Sequence, residues 1–449
     1  MKQTFFLLLF KLLISQSIWT QELKYSYKSD AEFDIETYLE TITKKQLSKI
    51  NGAYKKQRKG FYQKQLKSLK SQLSDSTFIF NDDLSTKIEN IYREICLANL
   101  ELKNDDFCFF IDRSLYPNAS AYGNGVFVIN LGLFTLLDSE DEIAFVICHE
   151  LAHHSLLHIK KKIDNYISKT NSKELKYKIS KIKRKRYGQN SARMELLKDL
   201  NFDFSEHSRE SEIEADIKGF DYFSKTKYDK NAAISALKKL GNIEKLVFRY
   251  EIDWEAIFNL NDYRFNKNLL IKEESMFNSN ILIDDNAWDI DSLKSHPDIN
   301  IRINKLITSE FDLLNNDKIE IEDGNKEVKR VSEKLSVMSA FDQGNLDLAI
   351  YKVAVNLEKK DNDKSFFVGK MALILKKLYI LKKNHSIGKY VPNENNLSDE
   401  IYLNMIRRFI HNIDMYELKK LIKNYTSYHI KIINDNKDLV SVHEIFNKD

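Results

Sequence analysis

The stretch CHELAHHSLLH, Cys148 to His158, carries four histidines and one glutamate. His149 and His153 stand four apart with Glu150 directly after the first, which is the pattern HExxH. On a helix such residues share a face, so both imidazoles can offer a nitrogen to one zinc ion. Glu150 would then be placed to take a proton from a zinc-bound water and deliver it to a leaving amine. The chemistry so described is peptide-bond hydrolysis; the plain alternative is a chance HExxH on an amphipathic helix. His154 and His158 form a second pair four apart. His154 is turned about 140° from His149 and no acid follows it, so that pair is expected at the surface.

A hydrolytic zinc usually keeps three protein ligands and one open position. Downstream, SRESEIEADIKGF, Ser208 to Phe220, offers Glu210, Glu212 and Glu214. As a helix it places Glu212, Ala215, Asp216 and Gly219 on one face. The small residues let it approach the first helix while the acids point across. Glu212 is the expected third ligand, and one Zn2+ per chain the expected cofactor. Asp216, one turn on, can hydrogen-bond the far nitrogen of a zinc histidine and fix its tautomer. Glu210 and Glu214 are assigned to other faces. Without HExxH the same stretch would read as a solvated acidic helix.

These residues need rigid elements to hold them. Ser139 precedes Glu142 by three residues, a capping-box spacing, and the acidic run from Glu140 to Glu142 suits a helix start. Ile143, Val146, Ile147, Leu151, Leu156 and Leu157 then continue without proline or glycine, and Lys160 to Lys162 lie towards the other end. Upstream, DLSTKIENIYREICLANL reads as a helix, and FCFFI and VFVIN as strands.

HELAH at His149 to His153 together with EIEAD at Glu212 to Asp216 resembles the zinc endopeptidases related to HtpX and to the CAAX prenyl protease. In those gluzincins the third ligand is the first glutamate of an ExxAD motif. Asn118 to His154 is similar to the family's asparagine-alanine loop, glycine turn, edge strand and apolar approach to the metal helix. SHPDINIRINKL, Ser295 to Leu306, resembles its closing His-Pro segment. The resemblance covers roughly Asp75 to Thr308 and rests on four motifs in order.

It implies an α+β, predominantly α fold: a zincin-like core with a small edge sheet, followed by a helical domain. It places VFVIN at the sheet edge beside the cleft. There Val126, Phe127, Val128, Ile129 and Asn130 would bind an extended polypeptide as an added strand. It also puts His296 at the cleft, as a cap on zinc's open position, a hydrogen-bond donor to the oxyanion, or merely the start of a helix with Arg302 pairing an acid on a neighbour. Two features depart from the family. The basic stretch Lys176 to Gln189 is not required by the chemistry and is expected to be a solvated face. Long apolar spans, present in integral-membrane relatives, are missing downstream of the start.

The opening MKQTFFLLLFKLLISQS pairs a lysine with an apolar run too short for a membrane span of about 20 residues. It reads as a signal peptide, cleaved after Ser17 or Thr20, or else as an uncleaved anchor. Export to a periplasm or the extracellular space is expected, without an integral span after signal removal. No cysteine follows the run, so a lipid anchor is not suggested. The net charge of +4 on 449 residues is nearly balanced and argues against nucleic acid as the main ligand. Three cysteines are too few for a disulfide framework. Cys96 and Cys108 could pair in an oxidising compartment, and Cys148 is expected to be a buried small hydrophobe.

Four regions follow: a signal over 1–20, a helical segment over 21–74 wrapping the core, the peptidase over 75–308, and a helical domain over 309–449. In the last, EKLSVMSAF and GNLDLAIYKVAVNLEKKDND resemble one tetratricopeptide unit, and FFVGKMALILKKLYIL the start of another. A plain helical bundle would look similar. The expected function is a zinc endopeptidase in quality control of cell-envelope proteins, with an envelope partner at the C-terminal helices. The alternative is a chaperone-like or adaptor protein that keeps the fold and acts through those helices.

Overall fold

The computed structural model describes residues 35–103, 107–271, 299–309, 326–359, 363–394 and 400–447. The apolar leader and His296 lie outside the described residues.

Two helices lead, α1 (Ile35–Ser48) and α2 (Lys55–Ser74). A four-stranded sheet follows, built from β1 (Phe78–Ile79), β2 (Cys108–Asp112), β3 (Ala119–Ala121) and β4 (Val126–Asn130) in the order β1-β2-β4-β3. Helix α3 (Asp82–Ala98) lies between β1 and β2; its cap Asn81 accepts from the Leu84 N–H. After β4 come α4 (Leu131–Leu136), α5 (Glu140–Ser155), α6 (His158–Asn171), α7 (Lys173–Arg184), α8 (Gln189–Ser224) and α9 (Ala232–Leu240). The basic stretch falls largely on α7, whose basic side chains are exposed.

VFVIN is not the edge strand. β4 runs parallel to β2 on one side and antiparallel to β3 on the other, so Ala119–Ala121 forms the edge. The unbroken apolar run explains the difference, because a strand covered on both faces shows no alternation. Phe127 and Ile129 pack towards α3 and α5, while Val126 and Val128 pack with Leu39, Ile42 and Leu69 of α1 and α2. Its four apolar side chains are therefore core, not substrate contacts, and Asn130 donates its side-chain amide to the Tyr116 carbonyl at 2.9 Å. Gly123 and Gly125, at φ 71° and 91°, turn the chain from β3 into β4 through backbone space that other residues rarely enter.

The remaining helices are α10 (Ile243–Val247), α11 (Trp254–Phe258), α12 (Ile299–Ser309), α13 (Lys326–Gln343), α14 (Leu346–Glu358), α15 (Lys364–Lys383), α16 (Ile401–Asn412), α17 (Met415–His429) and α18 (Lys437–Asn447). The hydrophobic cores do not divide at residue 308. Trp254, Phe258 and Phe265 pack with Phe409 and Tyr425 in the C-terminal core. Conversely, Val328, Val331 and Leu335 at the start of α13 join the peptidase core. Helix α13 thus belongs to both, which ties them into one packed body.

The pairing of Cys96 with Cys108 does not form: all three cysteines are free. Cys96 packs with the α3–α5 side of the sheet and Cys108 with the α1–α2 side, so the sheet separates them. Cys148 is fully buried, as expected. Among the described residues, no helix is long and apolar enough to cross a membrane.

Candidate metal centre

Helix α5 starts where its sequence says. The Ser139 hydroxyl accepts from the Glu142 N–H at 3.1 Å, but the return arm of the capping box goes one residue further back, Glu142 accepting from Asp138 N at 2.7 Å. Glu142 is completely buried and also receives Lys239 Nζ of α9 at 2.6 and 2.7 Å. Removing one partner of such a buried pair would cost about 3–5 kcal/mol. The N-terminus of α5 is thereby pinned to α9.

Helix α8 crosses α5 with almost no space between the backbones. A Cβ on Gly219 would stand 2.8 Å from His149 Cα and 2.9 Å from its nitrogen. The face anticipated for α8 is the one that meets α5, with Glu212, Ala215 and Asp216 all buried.

Three donors converge at that crossing. His149 Nε2 and His153 Nε2 are 3.0 Å apart, and Glu212 places Oε2 3.7 Å from the former and Oε1 3.4 Å from the latter. Donors about 2.1 Å from a tetrahedral zinc stand about 3.4 Å from one another. The observed separations bracket that value, and two imidazoles with one carboxylate are a donor set zinc accepts. The residues present therefore fit the metal.

The supporting groups are equally specific. Asp216, only 1% exposed, brings Oδ1 within 2.9 Å of His149 Nδ1. Arg302 of α12 donates to both Asp216 oxygens at 2.6 Å and reaches Glu212 Oε2 at 3.4 Å. Burial alone would push the Asp216 carboxyl up, but Arg302 and His149 outweigh it and hold the acid below its ordinary range. Burial likewise opposes a charged His153 ring, while the Glu212 hydrogen bond and the Glu150, Glu212 and Asp216 carboxylates raise its pKa overall.

Two assignments from sequence are corrected here. Helix α5 does not run on through Leu157: it ends at Ser155, and Leu157 adopts φ 57°, ψ 32° before α6 begins. A left-handed conformation at a leucine costs about 1–2 kcal/mol. It swings His158 inward, where it is buried rather than at the surface, with Nδ1 2.9 Å from His153 Nδ1 and Nε2 3.0 Å from Glu214 Oε2. Glu214 therefore also belongs to the site's surroundings. His154 is partly buried as well, its ring 5.0 Å from that of Phe107 in an edge-to-face contact.

The centre opens onto a cleft of about 1240 Å³ lined by Glu150, Glu210, Glu214, Arg302, Asn118 and the strand Ala119–Ala121. Tyr122 N donates to Val126 O and Asn130 N to Asn118 O. Bonds to β4 thus fall on alternate residues, and Ala119 and Ala121 turn their backbone groups away from it, towards the cleft. The VFVIN residues do not line the cleft.

A helix carrying HExxH, crossed by a second helix that delivers a glutamate and covered by a small sheet with a cleft-facing edge, defines a metallopeptidase. Residues 82–310, just over half of the chain, match Peptidase family M48. The chain belongs to that family, and the family is zinc-dependent. No curated protein matches it.

The structure assembles His149, Glu150, His153, Glu212 and Asp216 as the spacing anticipated, and joins Arg302 to them. Sequence reasoning missed His158 and Glu214. Their signal would have been a helix break after HELAHH, and neither glycine nor proline marks it.

Proposed function

We propose that this chain is a zinc-dependent endopeptidase acting in quality control of cell-envelope proteins. His149, His153 and Glu212 would hold one zinc per chain, which supplies an activated water and polarises the substrate carbonyl. Glu150, beside the HExxH histidines in the open cleft, takes the proton from the attacking water and passes it to the departing amine. Asp216 keeps the His149 ring in place, and Arg302, with His149, holds the Asp216 carboxyl below its ordinary range. An extended polypeptide adds to the outward backbone of Ala119 and Ala121, gaining main-chain hydrogen bonds with little sequence demand. Helices α13–α18 offer a surface for an envelope partner. The apolar leader supports export to the periplasm or beyond, and among the described residues no helix is long and apolar enough to cross a membrane.

The observation that carries this reading is the convergence of His149 Nε2, His153 Nε2 and a Glu212 carboxylate in a cleft that also contains Glu150. Glu150→Gln and Glu212→Gln separate the roles. Glu150→Gln should keep zinc and lose casein cleavage by at least about 100-fold, because an amide cannot accept the proton. Glu212→Gln should lose zinc itself. Zinc-loaded wild type that leaves casein intact would favour the adaptor reading.

A further inference from the structure

The two metal histidines are held by different chemistry. His149 turns Nδ1 to the buried Asp216 carboxylate, which Arg302 grips from the other side. His153 turns Nδ1 to another imidazole, His158, and His158 in turn faces Glu214. We infer that His158 is a positioning residue of the metal centre: a neutral imidazole protonated on Nε2, which accepts the Nδ1–H of His153 and donates to Glu214. The inference rests on the zinc reading above and deepens it.

The protons in this chain have one arrangement. A metal on His153 Nε2 occupies that nitrogen's lone pair, so the neutral ring carries its proton on Nδ1. Two Nδ1–H groups cannot face each other across 2.9 Å, so His158 must present a lone pair there. Its own proton then lies on Nε2, 3.0 Å from a carboxylate oxygen that only accepts. Metal, His153, His158 and Glu214 form a line in which each donor meets an acceptor. The His153 ring is thereby set in both tautomer and orientation.

The backbone is built for this contact. Along a continuing helix His158 would be turned about 140° away from His153. The left-handed Leu157, itself 51% exposed, places it alongside instead. His158 is 4% exposed, and an imidazole so buried requires partners for its polar atoms. The far end of the line is open: Glu214 is 57% exposed at the side chain and lines the cleft.

Zinc affinity, measured by competition with a fluorescent chelator, tests the assignment on the full chain. His158→Leu should weaken zinc binding by about 10–100-fold. His158→Asn, of similar size, keeps an acceptor oxygen near the Nδ1 position and should recover most of that loss. Glu214→Gln, whose amide oxygen still accepts, should bind zinc like wild type. A packing role predicts the opposite ranking, since leucine suits a buried site better than asparagine. Equal affinities for the leucine variant and wild type would overturn the inference, as would a leucine variant that matches the asparagine variant. Should the variants fail to fold, nitrogen NMR of the zinc-loaded wild type with labelled histidine reads the tautomer directly. An Nε2–H ring at His158 is expected, and an Nδ1–H ring there refutes the assignment. Wild type that binds no zinc at all would instead refute the metal centre.

Discussion

Arg302 grips Asp216 with two nitrogens, Nε and Nη2, each 2.6 Å from a carboxylate oxygen, and both side chains are buried. The fork joins α12 to α8 across 86 positions of sequence and ends on the acid that orients His149. Removing the arginine would strand a buried charge. Arg302→Leu should cost about 3–5 kcal/mol in chemical denaturation and weaken zinc binding in the protein that remains folded. A loss below about 1 kcal/mol would mean that the pair is not the clamp described.

Gly219 offers a test in which the sign is informative. Replacing glycine by alanine inside a helix ordinarily stabilises by up to about 1 kcal/mol. At Gly219 the new methyl would meet His149 backbone atoms at 2.8 and 2.9 Å, which cannot move without separating α5 from α8. Gly219→Ala should therefore destabilise by about 1–3 kcal/mol and lower zinc affinity as Glu212 moves away from the histidines. A stabilised variant with unchanged zinc binding would rule out the close crossing.

Ala121→Pro tests the edge. Proline removes the N–H that Ala121 turns away from β4, leaving the Tyr122–Val126 bond intact. One main-chain bond to substrate is worth about 1 kcal/mol, so kcat/KM for peptides should fall roughly five- to tenfold while zinc content stays normal. Full activity in this variant would place the substrate elsewhere in the cleft.

His429, in α17 against the Tyr425 ring at 4.4 Å between centroids, has its imidazole pushed down to about 4 by burial. The folded state keeps the ring neutral, whereas the unfolded chain takes up a proton near pH 6.5. Stability from this residue is complete above about pH 6.5 and declines as pH falls towards about 4, by up to about 3 kcal/mol. His429→Phe should flatten that part of the stability curve. Parallel curves for variant and wild type between pH 7.5 and 4 would refute the assignment.

The sequence by itself determined the residues of the centre and the helices that carry them. A four-residue spacing puts His149 and His153 on one face wherever a helix forms, and Glu212, Ala215, Asp216 and Gly219 share a face for the same reason. Local order was also legible in the Ser139 cap and in the glycine-rich turn before β4. Tertiary structure decided whatever depends on how elements meet. A run such as VFVIN shows that a strand is buried but not which strand lies beyond it, so the edge passed to Ala119–Ala121. The sharing of α13 between two cores and the separation of Cys96 from Cys108 by the sheet are likewise properties of packing. The turn at Leu157 has no local signature because a leucine enters left-handed space only when surrounding contacts repay the strain. In this chain the contacts that hold it there, from His158 to His153 and Glu214, come from residues that only the folded chain brings together.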